Sequence, residues 1–149
     1  MSTHSVALQQ TVFNALDGDS TLQSLVTDVF NFVPQNTAYP YVQIGDDSLS
    51  DNSTKDLDGN IHSIVIHTWS RYRGDKEAKE IMARVYDLLH NSSLSVSGAS
   101  LVNARFDTSD ILMDPDGITK HGVQRFNFVI RNHFPKSTSI RSSNRFTFK

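Results

Sequence analysis

Residues 69–76, WSRYRGDK, combine side chains that bind other molecules in several different ways. Trp69 and Tyr72 are interleaved with Arg71 and Arg73, and such rings and guanidinium groups can stack on nucleic-acid bases and neutralise phosphates. Tryptophan, tyrosine and arginine are also the residues most enriched at the centres of protein–protein interfaces. The segment therefore leaves a nucleic-acid groove, part of an active site and a protein interface open, with a buried Trp69 as the simplest alternative.

Acidic side chains recur in residues 46–60, DDSLSDNSTKDLDGN, a segment with almost no apolar content. Asp56, Asp58 and Asn60 match the first ligands of an EF-hand calcium loop. The positions that require glycine and a bidentate glutamate, however, hold an isoleucine and a histidine. We therefore predict a long, solvated polar loop, of the kind that is either functional or disordered, and no bound metal or cofactor.

Side chains that could support catalysis are present, but no recognisable motif arranges them. The chain has six histidines and no cysteine, which excludes a thiol nucleophile and a thiolate zinc site. His62 and His67 are five residues apart on a predicted strand, so they lie on opposite faces and do not ligate one metal together. No phosphate-binding loop, dinucleotide fingerprint, Gly-x-Ser-x-Gly elbow or His-Glu-x-x-His pair occurs. A Ser-His-Asp triad stays open, because its members need not be adjacent, but nothing favours one and we predict that the protein is not an enzyme.

Charge is distributed unevenly along the 149 residues. All 16 acidic residues lie at or before Asp116, whereas residues 136–149 contain four of the 14 basic residues and no acid. Residues 1–135 therefore combine ten basic with 16 acidic residues, a net charge of −6, which argues against a nucleic-acid-binding domain. The basic tail instead suggests an acidic partner. No apolar run approaches the roughly 20 residues of a membrane span, and we predict no membrane contact.

Hydrophobic periodicity predicts a single α+β domain over residues 1–132. Apolar residues recur at helical spacing in residues 5–16 and in residues 75–90, where they form one continuous stripe. Between these two helices the pattern predicts a helical turn followed by three strands, over residues 21–27, 29–33, 41–44 and 61–69.

A long hairpin follows, with strands 101–113 and 118–131 flanking the turn Asp114-Pro115-Asp116-Gly117. Its predicted buried face carries Val102, Ala104, Phe106, Phe126, Phe128 and Ile130, and its polar face carries Asn103, Arg105, Asp107, Arg125, Asn127 and Arg131. The predicted fold is α+β: a mixed or antiparallel sheet with a long C-terminal hairpin and the two main helices packed on one face. Residues 133–149 are predicted to be an extended basic tail. Its last five residues, RFTFK, alternate like a strand that could add to the sheet edge of a neighbour.

Three stretches of the sequence together resemble the tail completion (tail terminator) proteins of long-tailed bacteriophages. They are YPYVQIGDDSLSDNSTK, HTWSRYRGDKEAKEIMARVYDLLH and LMDPDGITKHGVQRF, in the order and at the spacing usual for that family. The resemblance covers about residues 5–131 and excludes the tail. It implies a structural protein without cofactor or catalytic residues. Its subunits would form a six-membered ring that stops growth of the tail tube and offers a docking surface to the head connector.

With this resemblance, the candidate interface residues fall into four groups. They are Arg71, Tyr72 and Arg73; Asp46, Asp47 and Lys55; Arg105, Arg125 and Arg131; and the tail residues Arg145, Phe146 and Phe148. The expected partners are further copies in a hexameric ring, the tail tube protein and the head connector or neck protein. Genome DNA is expected to pass through the ring without specific recognition. The expected location is the neck end of the virion tail, after assembly in the host cytoplasm. Another neck or minor tail component, and a small DNA-contacting protein at the connector, are the alternatives.

Overall fold

The computed structural model describes residues 4–53, 55 and 57–135. In chain order these residues form α1 (Ser5–Asp17), α2 (Ser20–Leu25), β1 (Val29–Phe30), β2 (Tyr41–Asp51), β3 (Leu57–Ser70), α3 (Lys76–Leu89), β4 (Ala99–Met113) and β5 (Lys120–Pro135). The predicted α+β class is confirmed. The predicted tail beyond Pro135, with Arg145, Phe146 and Phe148, lies outside the described residues.

The strands form one mixed sheet in the order β1-β2-β3-β5-β4. β1 runs parallel to β2, and all other neighbours are antiparallel. β1 ends at Phe30, three residues before the predicted end. The predicted long hairpin is β4–β5, whose turn is closed by the Gly117 N–H donating to the Asp114 carbonyl at 2.9 Å. Because β5 lies between β3 and β4, β4 is an outer strand of the sheet.

The helices cover one face of the sheet, and the core lies between these two layers. α1 contributes Leu8, Val12 and Leu16, which recur every four residues and are fully buried. The buried stripe of α3 is Ala78, Ile81, Met82, Val85 and Leu89. Facing these helices, the sheet contributes Val42, Ile44, Ile64, Ile66, Phe126, Phe128 and Ile130. Burying each large apolar side chain contributes roughly 1.5–3 kcal/mol, so this packing holds the strands in position.

Asp19 links the short helix α2 to α3. Its carboxylate caps α2 by accepting a hydrogen bond from the Leu22 N–H at 2.8 Å. It also accepts two hydrogen bonds from the Arg84 guanidinium, at 2.7 and 2.8 Å. The hydrogen-bonded guanidinium holds the pKa of Asp19 below its usual range. A helix of six residues is not stable in isolation, so this contact with α3 helps to position α2.

The prediction of a loop over residues 46–60 is wrong for most of that segment. β2 and β3 stay paired through this region, from Asp47 opposite Ile64 to Asp51 opposite Asn60. The β2 side chains here are exposed, because in the described structure no helix packs on this part of the strand. A strand that buries neither face needs no apolar alternation, which is the signal by which strands are recognised in a sequence. We call the described part of this extension, residues 46–53, 55 and 57–60, the polar ribbon.

The predicted buried face of the hairpin is wrong at one position, Val102, which is 55% exposed. The pairing of β4 with β5 skips a residue between Leu101 and Asn103, and this bulge turns Val102 outwards while Leu101 packs against the core. A bulge cannot be recognised from the alternation of apolar and polar residues in a sequence. The remaining predicted members do contribute to the core: Ala104, Phe106, Phe126, Phe128 and Ile130.

Candidate functional site

The surfaces left for function are the sheet face opposite the helices, which we call the open face, the ends of the strands and the β4 edge. Among residues 4–53, 55 and 57–135, no group of three or more histidine, aspartate or glutamate side chains is placed to hold a metal ion. Within the same ranges, no helix is long and apolar enough to cross a membrane. Asn60, a candidate calcium ligand, is buried in the sheet. His62 is buried on the helix side of β3 and His67 lies on the open face, as predicted.

At the corner where β3 leads towards α3, Arg71 is engaged within the subunit. Its guanidinium lies 4.4 Å from the centre of the Tyr39 ring, and its Nε donates to the Thr119 hydroxyl at 3.1 Å. A longer ion pair of 3.8 Å joins it to Asp116. Arg71 therefore ties the β4–β5 turn and the segment before β2 to the end of β3, although half of its side chain remains exposed.

Asp116 organises the turn that Arg71 contacts. Its carboxylate accepts the Thr119 hydroxyl at 2.7 Å and the backbone N–H groups of Ile118 and Thr119 at 2.8 Å each. These hydrogen bonds, that of the Thr119 hydroxyl first, lower the pKa of Asp116 to about 2. The carboxylate therefore stays ionised at neutral pH, and the tip of the long hairpin has a defined shape.

Tyr72 and Arg73 follow at the same corner, and both side chains are exposed. The backbone beneath them is well defined. The Ser70 hydroxyl accepts the Tyr72 N–H at 3.1 Å and donates to Glu77 at 2.6 Å. Gly74 has φ +80°, a conformation that favours glycine. Because the backbone of the corner is already ordered, binding costs the entropy of the two side chains but little backbone entropy, so the corner is suited to contact with another protein.

An aromatic row crosses the open face through Tyr41, Trp69 and His121, which are cross-strand neighbours. The Trp69 and His121 rings stack with their centres 3.8 Å apart and 7° between their planes. Tyr41 lies on the other side of Trp69 at 6.4 Å. The His121 ring therefore covers one face of the indole, which leaves less of Trp69 free to stack on a nucleic-acid base. Trp69 also lies outside the core beneath the helices.

His67 extends the row, because its Nδ1 lies 2.7 Å from Nε2 of His121. Burial lowers the pKa of both histidines, and the charge of His67 further lowers that of His121, while Asp46 and Asp114 oppose these shifts. Both rings are therefore neutral at pH 7, with one donating and the other accepting. Gly45 makes room for this arrangement, since a Cβ there would lie 2.3 Å from Nε2 of His67.

Arg105, Arg125 and Arg131 lie on the open face, as their alternation predicts. Arg125 donates to the Ser63 hydroxyl at 3.2 Å, Arg131 donates to the Asn52 carbonyl, and Arg105 is exposed. The prediction that this face is basic and polar is incomplete. The same strands place apolar side chains among the arginines, in particular Val65, Val123 and Val129. A mixed face of this kind, left uncovered by the described helices, is suited to burial against a partner.

Asp46, Asp47 and Lys55 lie on the polar ribbon, away from the corner. Asp47 pairs with Ile64 and Asp51 with Asn60, so along β3 these two positions lie about 17 and 30 Å from Trp69, which adjoins the corner, at about 3.3 Å per residue. The structure therefore does not gather the predicted interface residues into one site. It distributes them among the corner, the open face and the polar ribbon.

A groove of 650 Å³ between α3 and β4 was missed by the sequence analysis. It is lined by Met82, Ala83 and Tyr86 of α3, Phe106 and Ile111 of β4, and Gln124 of β5, among others. Gln124 is 3% exposed, and its Nε2 donates to the Met82 carbonyl at 3.0 Å. The only sequence signal for the groove is this glutamine, which interrupts the apolar face of β5 beside Met82 of α3.

Comparison with known proteins identifies the family. The model of the family "Tail completion protein gp17" matches residues 10–131. The chain is 31% identical over 127 residues to the tail completion protein gp17 of Bacillus phage SPP1, which covers 85% of this chain and 94% of that protein.

Two solved structures share the fold. One is a chain in the virion of the native gene transfer agent particle, with a TM-score of 0.82 and 28% identity over 89% of this chain and 100% of that chain. The other is the gp17 protein of bacteriophage SPP1, with a TM-score of 0.62 and 28% identity over 85% of this chain and 91% of that chain. The resemblance noted in the sequence is confirmed: this chain belongs to the tail completion protein gp17 family and is a structural protein of the phage virion tail.

Proposed function

We propose that copies of this chain form a hexameric ring that closes the end of the tail tube, ends its growth and presents the surface to which the head connector joins. The observation that carries the proposal is the separation of the corner, the open face and the polar ribbon on one subunit. A ring subunit meets two neighbours through a heterologous interface and different partners at its two ends, so it needs several distinct surfaces. The name of the SPP1 relative, tail completion protein, agrees with this role.

Subunit contacts around the ring are assigned to the corner and the open face. Tyr72 and Arg73 are exposed on a fixed backbone, and tyrosine and arginine are among the residues that contribute most to protein interfaces. The open face supplies apolar side chains among arginines that are partly hydrogen-bonded within the sheet. A neighbour that covers this face buries apolar area and must supply hydrogen-bond acceptors for the arginines that it desolvates.

We assign the contacts along the tail axis to the polar ribbon and to the basic tail. The polar ribbon, with Asp46, Asp47 and Lys55, extends beyond the helix layer and meets the tube. The basic tail beyond β5, residues 136–149, bridges to an acidic neighbour. Neither contact requires a cofactor or a catalytic step. Genome DNA passes through the ring without specific recognition, in keeping with the net charge of −6 for residues 1–135.

The first test compares Arg73→Glu with the unaltered protein by light scattering over a concentration series, with and without tail tubes. We expect Arg73→Glu to reduce ring formation and tube capping together, because it reverses the charge of a side chain that we assign to the interface between subunits. Ser93→Glu, which adds an acidic charge at an exposed position beyond α3, is the matched control and should assemble normally.

Unaltered ring formation and capping by Arg73→Glu would remove the corner from the subunit interface. A chain that neither forms rings nor caps tubes under any condition would refute the proposed function itself. Binding to DNA that weakens steeply with salt would favour the DNA-contacting alternative, because phosphate contacts release counterions.

A further inference from the structure

The outer edge of β4 is covered along only half of its length. The Asn91 N–H donates to the Ala104 carbonyl at 2.7 Å, and the Phe106 N–H donates to Nδ1 of His90 at 3.0 Å. From residue 107 to residue 113, β4 has β5 as its only strand neighbour within the described chain. Free strand edges invite another strand to add, and proteins usually block them. This half of β4 is therefore a candidate site for strand addition.

The free part of the edge runs beside the groove between α3 and β4. Phe106 and Ile111 of β4 line that groove together with Met82 and Ala83 of α3. Gln124 lines it as well, and its buried Oε1 has no hydrogen-bond partner among the described residues. A strand added to β4 would therefore gain backbone hydrogen bonds on one side and an apolar pocket for alternate side chains.

The charged side chains that line this groove are three aspartates and one lysine, Lys79. Asp87 lines it from α3 and Asp110 from β4, and Asp107 is exposed at the start of the free edge. Asp75 also lines the groove, but it pairs with Lys120 at 3.4 Å. An occupant that carries apolar side chains flanked by positive charges would complement both the floor and the rim of the groove.

We propose that the groove and the free edge of β4 bind the basic segment 145–149, RFTFK, of a second copy of this chain. In an extended segment Phe146 and Phe148 share one face, while Arg145, Thr147 and Lys149 share the other. The phenylalanines then enter the groove and the basic side chains meet the acidic rim. The proposal deepens the proposed function, on which it rests, by giving the ring a second contact between subunits.

The length of the chain favours a second copy over the same subunit. Ser109 pairs with Gln124, which lies about 36 Å back along β5 from Pro135 at about 3.3 Å per residue. Phe146 is eleven residues beyond Pro135, a reach of at most about 36–40 Å when fully extended. Docking within one subunit would leave almost no length for reversing direction and crossing to β4, whereas the groove of a neighbouring subunit can lie closer to Pro135.

Because the chain contains no cysteine, disulfide cross-linking tests the proposal in the full-length protein. Thr108→Cys on the free edge and Thr147→Cys in the segment are made in separate, differently sized fusions, which are mixed with tail tubes and oxidised with copper phenanthroline. We expect a disulfide-linked species containing one chain of each kind, about tenfold more abundant than with Thr21→Cys on α2, because docking raises the local concentration of the thiols.

Two further variants connect the cross-link to the groove. The first adds Phe146→Ser and Phe148→Ser to the Thr147→Cys chain, and the second adds Ala83→Glu to the Thr108→Cys chain. Each should reduce the amount of cross-linked species towards the level seen with Thr21→Cys. Ala83 is exposed, so Ala83→Glu alters the groove without touching the core. Lys76→Glu, at an exposed position of α3 outside the groove, is its control and should leave the cross-link unchanged.

No cross-link above the control would overturn the proposal. A link that forms only within one chain, in the variant carrying both Thr108→Cys and Thr147→Cys, would overturn the assignment to a second copy. Capping of tail tubes is scored on the same samples. Capping without the cross-link refutes this proposal alone, whereas the cross-link without capping refutes the proposed function and leaves the docking site standing.

Discussion

His67 and His121 form a pair of neutral rings on an otherwise open protein face. Their nitrogens lie 2.7 Å apart, and the His121 ring is held by its stack on Trp69. Neither ring is needed by the core beneath the helices, so the pair serves the open face. Each ring restricts the other, and Gly45 leaves the space that His67 occupies. This part of the face is therefore ordered before any partner arrives, which reduces the entropy lost on binding.

The pair should make stability depend on pH within about one unit of the ordinary histidine pKa of about 6.5. Burial lowers the pKa of both histidines in the folded state. Below the ordinary histidine pKa of about 6.5 the unfolded chain binds more protons than the folded one, so stability falls as pH falls. We expect the urea midpoint to decrease over this range, and to decrease less in His121→Phe, which keeps a ring against Trp69 and removes one titrating group.

The control for this titration is His4→Gln, which removes a histidine outside the open face. Fluorescence is a convenient readout, because Trp69 is the only tryptophan and lies in contact with His121. An equal pH dependence in His121→Phe and in the unaltered protein would show that the pair does not carry the effect.

Among the secondary-structure elements, those with a regular apolar period were predictable and those without one were not. The stripe of α3 and the alternation of Phe126, Phe128 and Ile130 indicated a helix and a strand that the structure confirms. The polar ribbon was missed because its strands pair through the backbone while the β2 side chains stay exposed. Val102 was misplaced because a bulge shifts the period by one residue.

The aromatic row and the groove could not be predicted from the sequence, for another reason. Tyr41, Trp69 and His121 are far apart in the chain, and they become neighbours only through the register of β2, β3 and β5. The groove likewise depends on where α3 crosses the sheet. A single sequence carries the period of each element, whereas register and crossing position arise from the packing of the whole core. The interface residues could thus be proposed individually, but not their separation into three surfaces.

The bulge in β4 can be tested by two substitutions that remove similar groups. Ile130→Val deletes one methylene from a fully buried side chain and should cost about 0.5–1.5 kcal/mol. Val102→Ala deletes more carbon from an exposed position and should change the free energy of unfolding by less than about 0.5 kcal/mol. Urea denaturation at pH 7 measures both. A larger loss for Val102→Ala than for Ile130→Val would contradict the bulged register.

On the scale of the whole molecule, the contact surfaces are far apart along the strands. The polar ribbon lies towards one end of β2 and β3 and the corner lies at the other, so that Asp51, opposite Asn60, is about 30 Å along β3 from Trp69 at about 3.3 Å per residue. The groove and the free edge of β4 lie on a third side, at the outer strand of the sheet. A rigid sheet that joins these surfaces fixes the relative orientation of their partners. Separate surfaces also predict that their functions can be separated by mutation.

The last prediction uses this separation. Asp47→Lys combined with Lys55→Glu reverses exposed charges on the polar ribbon without changing the net charge, and neither side chain belongs to the core. Because the ribbon is assigned to the tube and the corner to the neighbouring subunit, we expect rings that form normally but no longer cap tubes. Arg73→Glu should instead fail at ring formation. Light scattering measures the first step, and the length distribution of tubes in electron micrographs measures the second. Loss of ring formation in the ribbon variant would place the ribbon between subunits, and normal capping by it would remove the ribbon from the tube contact.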